Sequence, residues 1–571
     1  MNYKSFPAGV IAGCVISTTA LAQGIPQVPN AGAIMRDTER PELPPKAAPG
    51  EVRTPAPAMP EGAAPGGAKI EVRSFSITGN TSITGDELMQ KVPELRGAIG
   101  RQLDLAGLEA VADAVTRYYR SRGFPVAITY VEPQAVANGT VTLSVLEGQV
   151  SKVVVAPVSG YSEARLARFA NMANCLGTAR DCGTPPVERR RVERAAGILG
   201  DLPGIANVTG TLSPGDEPGS STLTLNPEPG PRVQGYVGAD DYGNRYTGKA
   251  RGLARVQANN LAGIGDVLGV DVATSGRNMI TGGIDYSLPI GYGGWRLGFR
   301  YNRLDYVLRA PFDQLDARGT ADVLGAYLSY PVLRSVDRNL DLRIGVDSKW
   351  LDDRTLGERA TRRLTVGSLG ISGNAIDGLF RGGYTGYGAT VSAGDNRPGG
   401  LADVPDGPDR GFTKFNYYLL RDQTVAYLGN NVRLSLYGSF RGQYSGEYLS
   451  SVETFALGGP DGVRAYPTGE APGDKGWLGT AELRASTHVP LIGSDVTFAV
   501  FRDMGRSTTQ PPGTPATSRF LAGNGLSVSF NRRDTYIFKL AWAMRDKSGS
   551  PAQSDSDSRS RIWAQFTYMF P

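Results

Sequence analysis

Asn431-Val-Arg-Leu-Ser-Leu-Tyr-Gly-Ser-Phe-Arg-Gly-Gln-Tyr444 distributes its apolar and polar side chains over the two faces of one extended strand. The apolar side chains occupy even positions from Val432 to Phe440, and the odd positions from Arg433 to Gln443 are mainly arginine, serine and glutamine. Because successive side chains of a strand point to opposite faces, this alternation indicates a strand with one apolar and one polar face. The run is also long enough to cross a bilayer when tilted.

The same alternation recurs from Pro231 to the C-terminus, between turns rich in glycine, asparagine and aspartate. Two architectures accommodate such strands. A soluble β-sandwich buries the apolar face between two sheets. A membrane barrel turns that face toward lipid and keeps charged side chains in a wet lumen, because a charge on the lipid face costs roughly 2–4 kcal/mol at the bilayer midplane.

The connections between strands favour the barrel. Short connections such as Leu428–Asn431 alternate with long polar ones such as Ala393–Arg410 and Leu457–Gly476. This asymmetry is typical of short periplasmic turns and long external loops. We therefore predict a transmembrane antiparallel β-barrel of about sixteen strands over residues 230–571, since an even number brings both barrel ends to the same side.

Residues 70–150 and 151–229 each have the predicted order strand, helix, helix, strand, strand. In the first unit, Ser82 or Thr84 opens a short helix and Asp104 caps a longer one, because small polar side chains favour the N-cap. In the second unit, Pro186 stands at a predicted first helical position. The repeated order predicts two α+β domains of the βααββ type in front of the barrel.

Residues 1–22 predict a secretory signal peptide that is cleaved between Ala22 and Gln23, after a small-x-small pattern. A lipoprotein signal ending at Cys14 is the alternative. No later segment is apolar enough, at 18 consecutive residues, to predict a transmembrane helix.

Residues 23–69 connect the signal to the first unit. Within them, residues 30–40 can form one short helix with Asn30 as its cap. Positions 41–65 contain eight prolines, which predicts an extended, unpacked linker. A helix this short is marginal in water and needs a surface to hold it.

Composition and cysteine usage narrow the function classes. The formal net charge of +5 is small for 571 residues and indicates no nucleic-acid partner. His488 is the single histidine, so we predict no metal site, no cofactor and no enzyme activity. Cys175 and Cys182 remain after signal cleavage and predict a disulfide that staples a loop, with a redox site as the alternative.

Several motifs resemble known families. Phe75–Asn80 and Leu146–Val150 resemble the opening strand-turn and the closing strand of POTRA domains. Asp201–Ile205 followed by Leu212–Gly215 resembles the second POTRA domain of two-partner secretion transporters, the TpsB family of ShlB-, FhaC- and HecB-like haemolysin secretion and activation proteins. The likeness covers essentially the whole chain after the signal.

Barrel motifs of the same family follow in order. The barrel entry Asp241–Gly248 resembles that of the family, as do the loop Gly458–Pro467 and the strand segment Phe501–Gly505. The family loop reads VRGY or VRGF, and Ala465 replaces its glycine, which disfavours a positive φ there. The supporting motif residues are Gly462, Val463, Tyr466, Phe501 and Gly505.

The resemblance implies an N-terminal plug helix, two periplasmic POTRA domains and a barrel in the Gram-negative outer membrane. It implies export of one large unfolded exoprotein, which carries an N-terminal secretion domain, and contact with outer-membrane lipids. The aromatic C-terminal strand resembles the signal read by the barrel-assembly machinery, through Phe566, Tyr568 and Phe570. The alternatives are a barrel-assembly insertase of the same superfamily and a passive porin.

Arg464 and Asp503 are the candidate functional pair. By strand parity Asp503 faces the lumen, and the loop that carries Arg464 is long enough to fold back into the barrel. The two side chains can then form a charge-assisted bond, and the resemblance implies the same pair. We hypothesise that this bond anchors the loop inside the pore; a solvated loop arginine is the alternative.

The α+β units are the candidate docking region for the exported chain. An unfolded polypeptide offers free backbone groups, so it can add a strand to a sheet edge. We favour the grooves beside Val126–Val131 and the helix at 104–122 in the first unit. On that helix, Leu108, Val111 and Val115 are predicted to be core residues.

Overall fold

The computed structural model describes residues 28–38, 52–53, 67–134, 136, 138–175, 183–217, 219–400, 407–429, 431–532 and 535–571. The predicted signal peptide with its Ala22–Gln23 cleavage point, most of the proline-rich linker and Cys182 lie outside these residues. None of the described helices combines the length and the apolar character that a membrane span requires.

Six helices and nine strands precede the barrel in the described part of the chain. They are α1 (Ala31–Thr38), β1 (Val52–Arg53), β2 (Ile70–Glu71), β3 (Ser74–Thr78), α2 (Gly85–Lys91), α3 (Pro93–Ala98), β4 (Gln102–Leu103), α4 (Leu105–Ser121), β5 (Ile128–Val131), β6 (Thr140–Leu146), β7 (Gln149–Val155), α5 (Glu163–Asn174), α6 (Arg189–Gly200), β8 (Ile205–Pro214) and β9 (Ser220–Pro229).

The first α+β unit packs α2, α3 and α4 on a sheet in the order β3-β6-β5. Thr84 and Asp104 cap α2 and α4 by accepting backbone N–H bonds at 3.2 and 2.9 Å, as the sequence predicts. Leu108, Val111 and Val115 on α4 are buried in the core of this unit. The prediction that this helix face is core is therefore confirmed.

The second unit has a four-stranded sheet in the order β1-β8-β9-β7, with α5 and α6 packed beside it. The prediction that Pro186 opens a helix is wrong. Pro186 forms an isolated bridge with Gln149, and α6 begins three residues later at Arg189. A proline fits this place because it needs no ladder N–H at a sheet edge.

The linker is partly packed, in contrast to the sequence prediction. Val52 lies opposite Gly210 and Arg53 lies opposite Thr211, so β1 runs parallel to β8 along the edge of the second sheet. A sheet edge has unpaired N–H and C=O groups that bind any extended segment within reach. The chain's own linker covers this edge.

Arg194 of α6 docks the second unit onto barrel residues 293 and 330–332. Its guanidinium donates to the carbonyl oxygen of Pro331 at 2.8 Å and of Gly293 at 3.4 Å, and to the hydroxyl of Tyr330 at 3.1 Å. Burial lowers the pKa of Arg194 because it disfavours the charged form. With the Val332 carbonyl at 3.4 Å as a fourth acceptor, the contacts of this buried charge make the junction specific in orientation.

Replacing Arg194 by methionine, which keeps an apolar stem, is expected to loosen the junction without unfolding either part. Hydrogen bonds to a charged group contribute about 1.5–3 kcal/mol each. Hydrogen exchange of the full-length protein in detergent should show faster exchange in α6 and in the barrel residues around Pro331. Unchanged protection in both places would show that apolar contacts alone hold the second unit on the barrel.

Sixteen antiparallel strands form the closed barrel, in sequence order and with the last paired to the first. They are β10 (Val233–Asp240), β11 (Arg251–Asn259), β12 (Val267–Thr274), β13 (Met279–Pro289), β14 (Arg296–Val307), β15 (Arg318–Arg334), β16 (Arg338–Thr355), β17 (Glu358–Asp377), β18 (Gly383–Gly400), β19 (Gly411–Leu428), β20 (Val432–Ser445), β21 (Lys475–Val489), β22 (Ser494–Thr509), β23 (Thr517–Arg532), β24 (Tyr536–Arg545) and β25 (Ser560–Phe570).

The apolar strand faces point outward, which decides between the two architectures in favour of the barrel. On β20, Leu436 and Phe440 are 52% and 44% exposed, while Gln443 and Ser435 on the opposite face are buried. The outer face offers apolar side chains to lipid, and the polar face lines the lumen. The predicted barrel of about sixteen strands is confirmed.

Two predicted connections differ from the structure. Residues 393–400 belong to β18, because they continue the ladder with β17 as far as Gly400. The connection predicted at Leu457–Gly476 is longer and spans 446–474, since β20 ends at Ser445. The start of the first connection was misplaced because glycine and polar residues continue β18 beyond the apolar belt.

Candidate functional site: a loop and a helix inside the barrel

The connection between β20 and β21, residues 446–474, folds back into the barrel, and we call it the inward loop. It begins with a 3₁₀ turn at Ser451–Glu453 and contains two isolated bridges, Phe455 with Gly473 and Gly458 with Val463. The loop therefore has its own internal pairing and is a folded element of the lumen.

The tip of the inward loop is a tight turn that carries Arg464. The Val463 N–H donates to the Leu457 carbonyl at 2.7 Å, and the Tyr466 N–H donates to the Val463 carbonyl at 3.0 Å. A Cβ at Gly462 would collide with the Leu457 carbonyl oxygen. The turn therefore requires glycine at 462, which explains this motif residue.

Arg464 and Asp503 are brought together, as hypothesised. Nε and Nη2 of Arg464 each donate to the Asp503 carboxylate at 2.8 Å, and the backbone N–H of Arg464 donates to it at 3.1 Å. Nη2 also pairs with Glu482 at 2.8 Å, and the Thr480 hydroxyl donates to Asp503 at 3.0 Å. The guanidinium carbon lies 3.3 Å from the ring centroid of Phe501.

This geometry is a bidentate pair with a stacked guanidinium, which is the strong form of an arginine–carboxylate contact. Asp503 is fully buried. Burial alone would lower the pKa of Arg464, but its bonds to Asp503 and Glu482 raise that pKa, so the side chain stays charged. The alternative of a solvated loop arginine does not fit this placement.

The contact continues along the lumen wall as a chain of alternating charges. Glu482 pairs with Arg484 at 2.7 Å, Arg484 with Asp422 at 3.0 Å, and Asp422 with Arg433 at 3.1 Å. Each carboxylate thus lies between two cations across strands β19 to β21. Within this chain of contacts, Arg433 and Arg484 of the wall balance Asp422 and Glu482, and the loop arginine balances Asp503.

An apolar cluster supports the turn on its other side. Leu457, Val463, Tyr466 and Phe501 are buried in it. A Cβ at Gly505 would lie 2.9 Å from Leu457 Cδ2, so glycine at this motif position leaves room for the loop. The Tyr466 hydroxyl donates to the Ser550 carbonyl at 2.8 Å, and burial raises the pKa of Tyr466 to about 12.

Ala465 replaces the family glycine without strain. Its φ is not positive, and its methyl group points at Gly523 of β23, where a Cβ would lie 2.5 Å from the Cβ of Ala465. The indole N–H of Trp563 donates to the Arg464 carbonyl at 2.7 Å. The wall therefore provides a glycine opposite this methyl group and a donor opposite the adjacent carbonyl.

Helix α1 also lies in the lumen. Asn30 caps it by accepting the Ala33 N–H at 2.9 Å, and the Ala31 N–H donates to Asp353 of β16 at 2.7 Å. Ile34 and Met35 pack in an apolar cluster with lumen-facing side chains of β14 to β17. The predicted helix at 30–40 is thus present as a shorter element, held by a cavity as its marginal length requires.

The start of the inward loop is fastened separately from its tip. Glu453 pairs with Lys349 of β16 at 2.7 Å and with Lys414 of β19 at 2.6 Å. Burial opposes ionisation of Glu453, but the two ammonium groups lower its pKa to about 2. The carboxylate is therefore charged at neutral pH, with a cation on each oxygen.

A third set of contacts holds the end of the inward loop. Glu470 is fully buried, pairs with Arg519 of β23, and accepts the backbone N–H groups of Gln553 and Ser554. These two residues belong to the connection between β24 and β25. The inward loop is thus bound to the neighbouring external loop as well as to the wall.

The remaining predicted residues lie apart from this site. Phe566 and Tyr568 are exposed on the outer face of β25, and Phe570 lies opposite Gly235 of β10, where β25 closes the barrel. Cys175 at the end of α5 is disulfide-bonded. Its pairing with Cys182, which is outside the described residues, stays a prediction.

Several residues of the site were not singled out from the sequence. Glu482 and Thr480 share the polar face of one alternating strand with Arg484, so parity already places them in the lumen. Parity likewise places Trp563 on the inner face of β25, opposite the exposed Ile562. Glu453 and Glu470 offered no comparable signal, because their contacts depend on the path of a loop.

The lumen retains a cavity of about 850 Å³ beside α1 and the inward loop, lined by charged side chains such as Arg251, Arg300, Asp347 and Lys414. Within the residues that the structure describes, no three His, Cys, Asp or Glu side chains are placed to share a metal ion. The arrangement can bind and position polypeptide segments, and its strongest polar contacts hold the chain's own α1 and inward loop.

Known proteins match this architecture. The family model for haemolysin secretion/activation proteins ShlB/FhaC/HecB matches residues 219–530, and that for the ShlB-type POTRA domain matches residues 70–148. The heme/hemopexin transporter protein HuxB of Haemophilus influenzae strain 86-028NP is 27% identical over 95% of each chain. The outer membrane transporter CdiB of Dickeya dadantii strain 3937 is 26% identical over 72% of each chain.

Solved structures show the same fold. CdiB from Escherichia coli superposes with a TM-score of 0.71 at 22% identity, over 90% of this chain and 94% of that one. CdiB from Acinetobacter baumannii gives a TM-score of 0.64 at 17% identity, over 94% and 96% of the two chains. The family match covers more than half of the chain and includes the inward loop and both strands that hold it. The chain therefore belongs to the ShlB/FhaC/HecB family of haemolysin secretion and activation proteins, the outer-membrane transporters of two-partner secretion.

Proposed function

We propose that this chain exports one dedicated, unfolded partner protein from the periplasm through the barrel lumen. In this proposal residues 1–22 are the signal peptide, residues 70–150 and 151–229 are periplasmic POTRA domains, and residues 230–571 are the barrel. The observation that supports this proposal is the way in which segments of the chain obstruct the lumen. Helix α1 and the inward loop lie across the lumen, and each is attached to the wall largely through side chains, so both can move while the wall stays intact.

The proposed partner is a large exoprotein with an N-terminal secretion domain. The name of HuxB states a role in haem and hemopexin transport, whereas the name of CdiB states only that it is an outer-membrane transporter. HuxB aligns over the greater share of this chain, which favours a haem- or hemopexin-related partner as the first to test. A large coding sequence next to that of this chain supplies the candidate.

Secretion in a reconstituted host tests the proposal. A Gram-negative strain that lacks both genes receives the candidate partner alone or together with this chain. We expect the partner in the medium only when both are present. Retention of the partner inside the cell, with the barrel correctly assembled, would contradict the proposed export.

Partner recognition is proposed to use strand addition at the POTRA sheets. Two sheet edges are candidates for this strand addition, and they suit it to different degrees. On β5, which the sequence favoured, the Thr129 N–H already donates to the Thr116 hydroxyl of α4 at 2.8 Å. On β8, the edge already accepts an extended segment, since β1 occupies it. We therefore favour the β8 edge, where the partner and β1 would use the same backbone groups.

A double substitution of Val52 and Arg53 by proline tests this choice. Two prolines remove both N–H donors of β1, so the linker should leave β8 and the purified partner fragment should bind full-length protein in detergent more tightly. Val131→Pro on β5 serves as the comparison, because the N–H of Val131 faces away from β6, on the same side as that of Thr129. If the β1 variant binds as wild type does and the β5 variant binds less, docking occurs at β5 instead.

A barrel-assembly insertase is the second candidate function, because the superfamily shares POTRA domains. The two functions differ in how many proteins depend on the chain. Depletion of an insertase lowers the amounts of many unrelated barrel proteins, whereas loss of this chain should lower export of its partner alone. Membrane proteomics of a deletion strain distinguishes the two.

A further inference from the structure

The inward loop forms one side of the site that holds α1 in the lumen. The Ser451 hydroxyl donates to the Asn30 side chain at 2.6 Å, and Arg36 donates to the Thr454 hydroxyl at 2.6 Å. A Cβ at Gly32 would lie 3.0 Å from the backbone nitrogen of Val452, so the helix backbone rests directly on the 3₁₀ turn.

The loop touches α1 at a second point. Gly469, near the end of the inward loop, lies against the side chain of Asp37 in the last turn of α1. On the wall side, the Ala31 N–H donates to Asp353, and Ile34 and Met35 press on apolar side chains. The helix is thus enclosed by the loop on one side and by a mainly apolar part of the wall on the other.

Glu453 attaches the 3₁₀ turn beneath α1 to the barrel wall. It is the last residue of the 3₁₀ turn, and its two carboxylate oxygens pair with Lys349 and Lys414, which lie on β16 and β19. Its carbonyl oxygen accepts from Gln443 of β20 at 2.9 Å. One residue therefore ties the turn beneath α1 to three strands of the barrel.

The fastening at Glu453 and the fastening at Arg464 hold different parts of the loop. Arg464 binds β21 and β22 at the tip, and α1 makes no described bond to that tip. Glu453 binds the turn that contacts α1 directly. Loss of the tip contact would leave this turn in place, whereas loss of the Glu453 contact would free the turn together with the helix.

We propose that Glu453 is the positioning residue for the plug: it holds the 3₁₀ turn on which α1 sits, and release of the Glu453 ion pairs frees α1 from the lumen. The proposal rests on the proposed role of α1 as a removable obstruction. It assigns plug release to the start of the inward loop, separately from the Arg464–Asp503 contact.

Thiol accessibility in the absence of any partner tests the proposal, so the outcome does not depend on export. Ile34→Cys places a thiol on the buried face of α1. Full-length protein in detergent is treated with a water-soluble maleimide. With Glu453→Gln added, the labelling rate should rise roughly tenfold to a hundredfold, which corresponds to loss of one charge-assisted bond. Single-channel recordings should show more frequent opening.

Two matched variants separate positioning from general loosening. Glu482→Gln removes a buried carboxylate that binds the same loop at Arg464, away from α1, and Asp503→Asn removes the main tip contact. Both should leave labelling of the Ile34→Cys thiol near the rate seen without them, and Glu453→Asp should give a rate between those of Glu453 and Glu453→Gln. Equal labelling with Glu453 and with Glu453→Gln overturns the proposal. So does equal acceleration by Glu482→Gln, because loosening any part of the loop would then have the same effect.

Discussion

Asp503→Arg is expected to abolish export of the partner while the barrel still assembles. The substitution sets a second guanidinium against Arg464 in a fully buried site and removes the acceptor of four hydrogen bonds, three from Arg464 and one from Thr480. Removing one partner of a buried pair costs about 3–5 kcal/mol because the other charge is left uncompensated. The tip of the inward loop should therefore leave the wall. Export is measured as partner in the medium, and assembly is measured by heat-modifiable mobility in gels.

The structure also predicts which rescue should work. A simple exchange, Asp503→Arg with Arg464→Asp, leaves the new aspartate beside Glu482, which lies 2.8 Å from the original guanidinium. Like charges at that distance repel, so this pair should restore export only in part. Adding Glu482→Gln should restore more. Asp495→Arg on the same strand is the control, since Asp495 is exposed at the rim and pairs with His488. Normal export by Asp503→Arg would refute the anchoring role.

A disulfide between α1 and the wall is expected to block export reversibly. A Cβ at Gly32 would lie 3.2 Å from Leu351 Cδ1 on β16, so cysteines at 32 and 351 face each other at close range. Ser451→Ala makes room for the new side chain and is present in every variant. If the partner passes through the lumen, α1 must leave, and the oxidised protein should export nothing. Reduction should restore export.

Each single-cysteine variant in the Ser451→Ala background controls for the substitutions themselves. Both should export equally under oxidising and reducing conditions. The disulfide is verified by a mobility shift between reduced and non-reduced samples. Equal export by the oxidised and reduced double variant would mean that polypeptide passes without displacement of α1, and the proposed route would then be wrong.

Strand alternation was sufficient to predict the wall of the barrel and one half of the functional pair. Asp503 and Glu482 follow from parity, because a period of two leaves each side chain one of two faces. The caps at Thr84 and Asp104 followed for a similar reason, since capping depends on bonds within one turn of the chain. Features that depend only on such local geometry can be predicted from the sequence alone.

Contacts that depend on the path of a loop could not be predicted in the same way. Glu453 lies in a polar connection with no periodicity, and its two lysine partners are on strands distant in sequence. Pro186 illustrates the opposite failure, in which a local helix-start signal lost to pairing with Gln149 at a sheet edge. In both cases a partner far along the chain decides the conformation.

The short strand β1 limits how far α1 can move. Val52 follows Thr38, the last residue of α1, by fourteen positions, and a fully extended chain of that length reaches at most about 50 Å. While β1 stays on the sheet of the second unit, α1 can move no farther than this from β1. The covalent length of the linker therefore limits how far the departing helix can travel and keeps it within reach of that sheet.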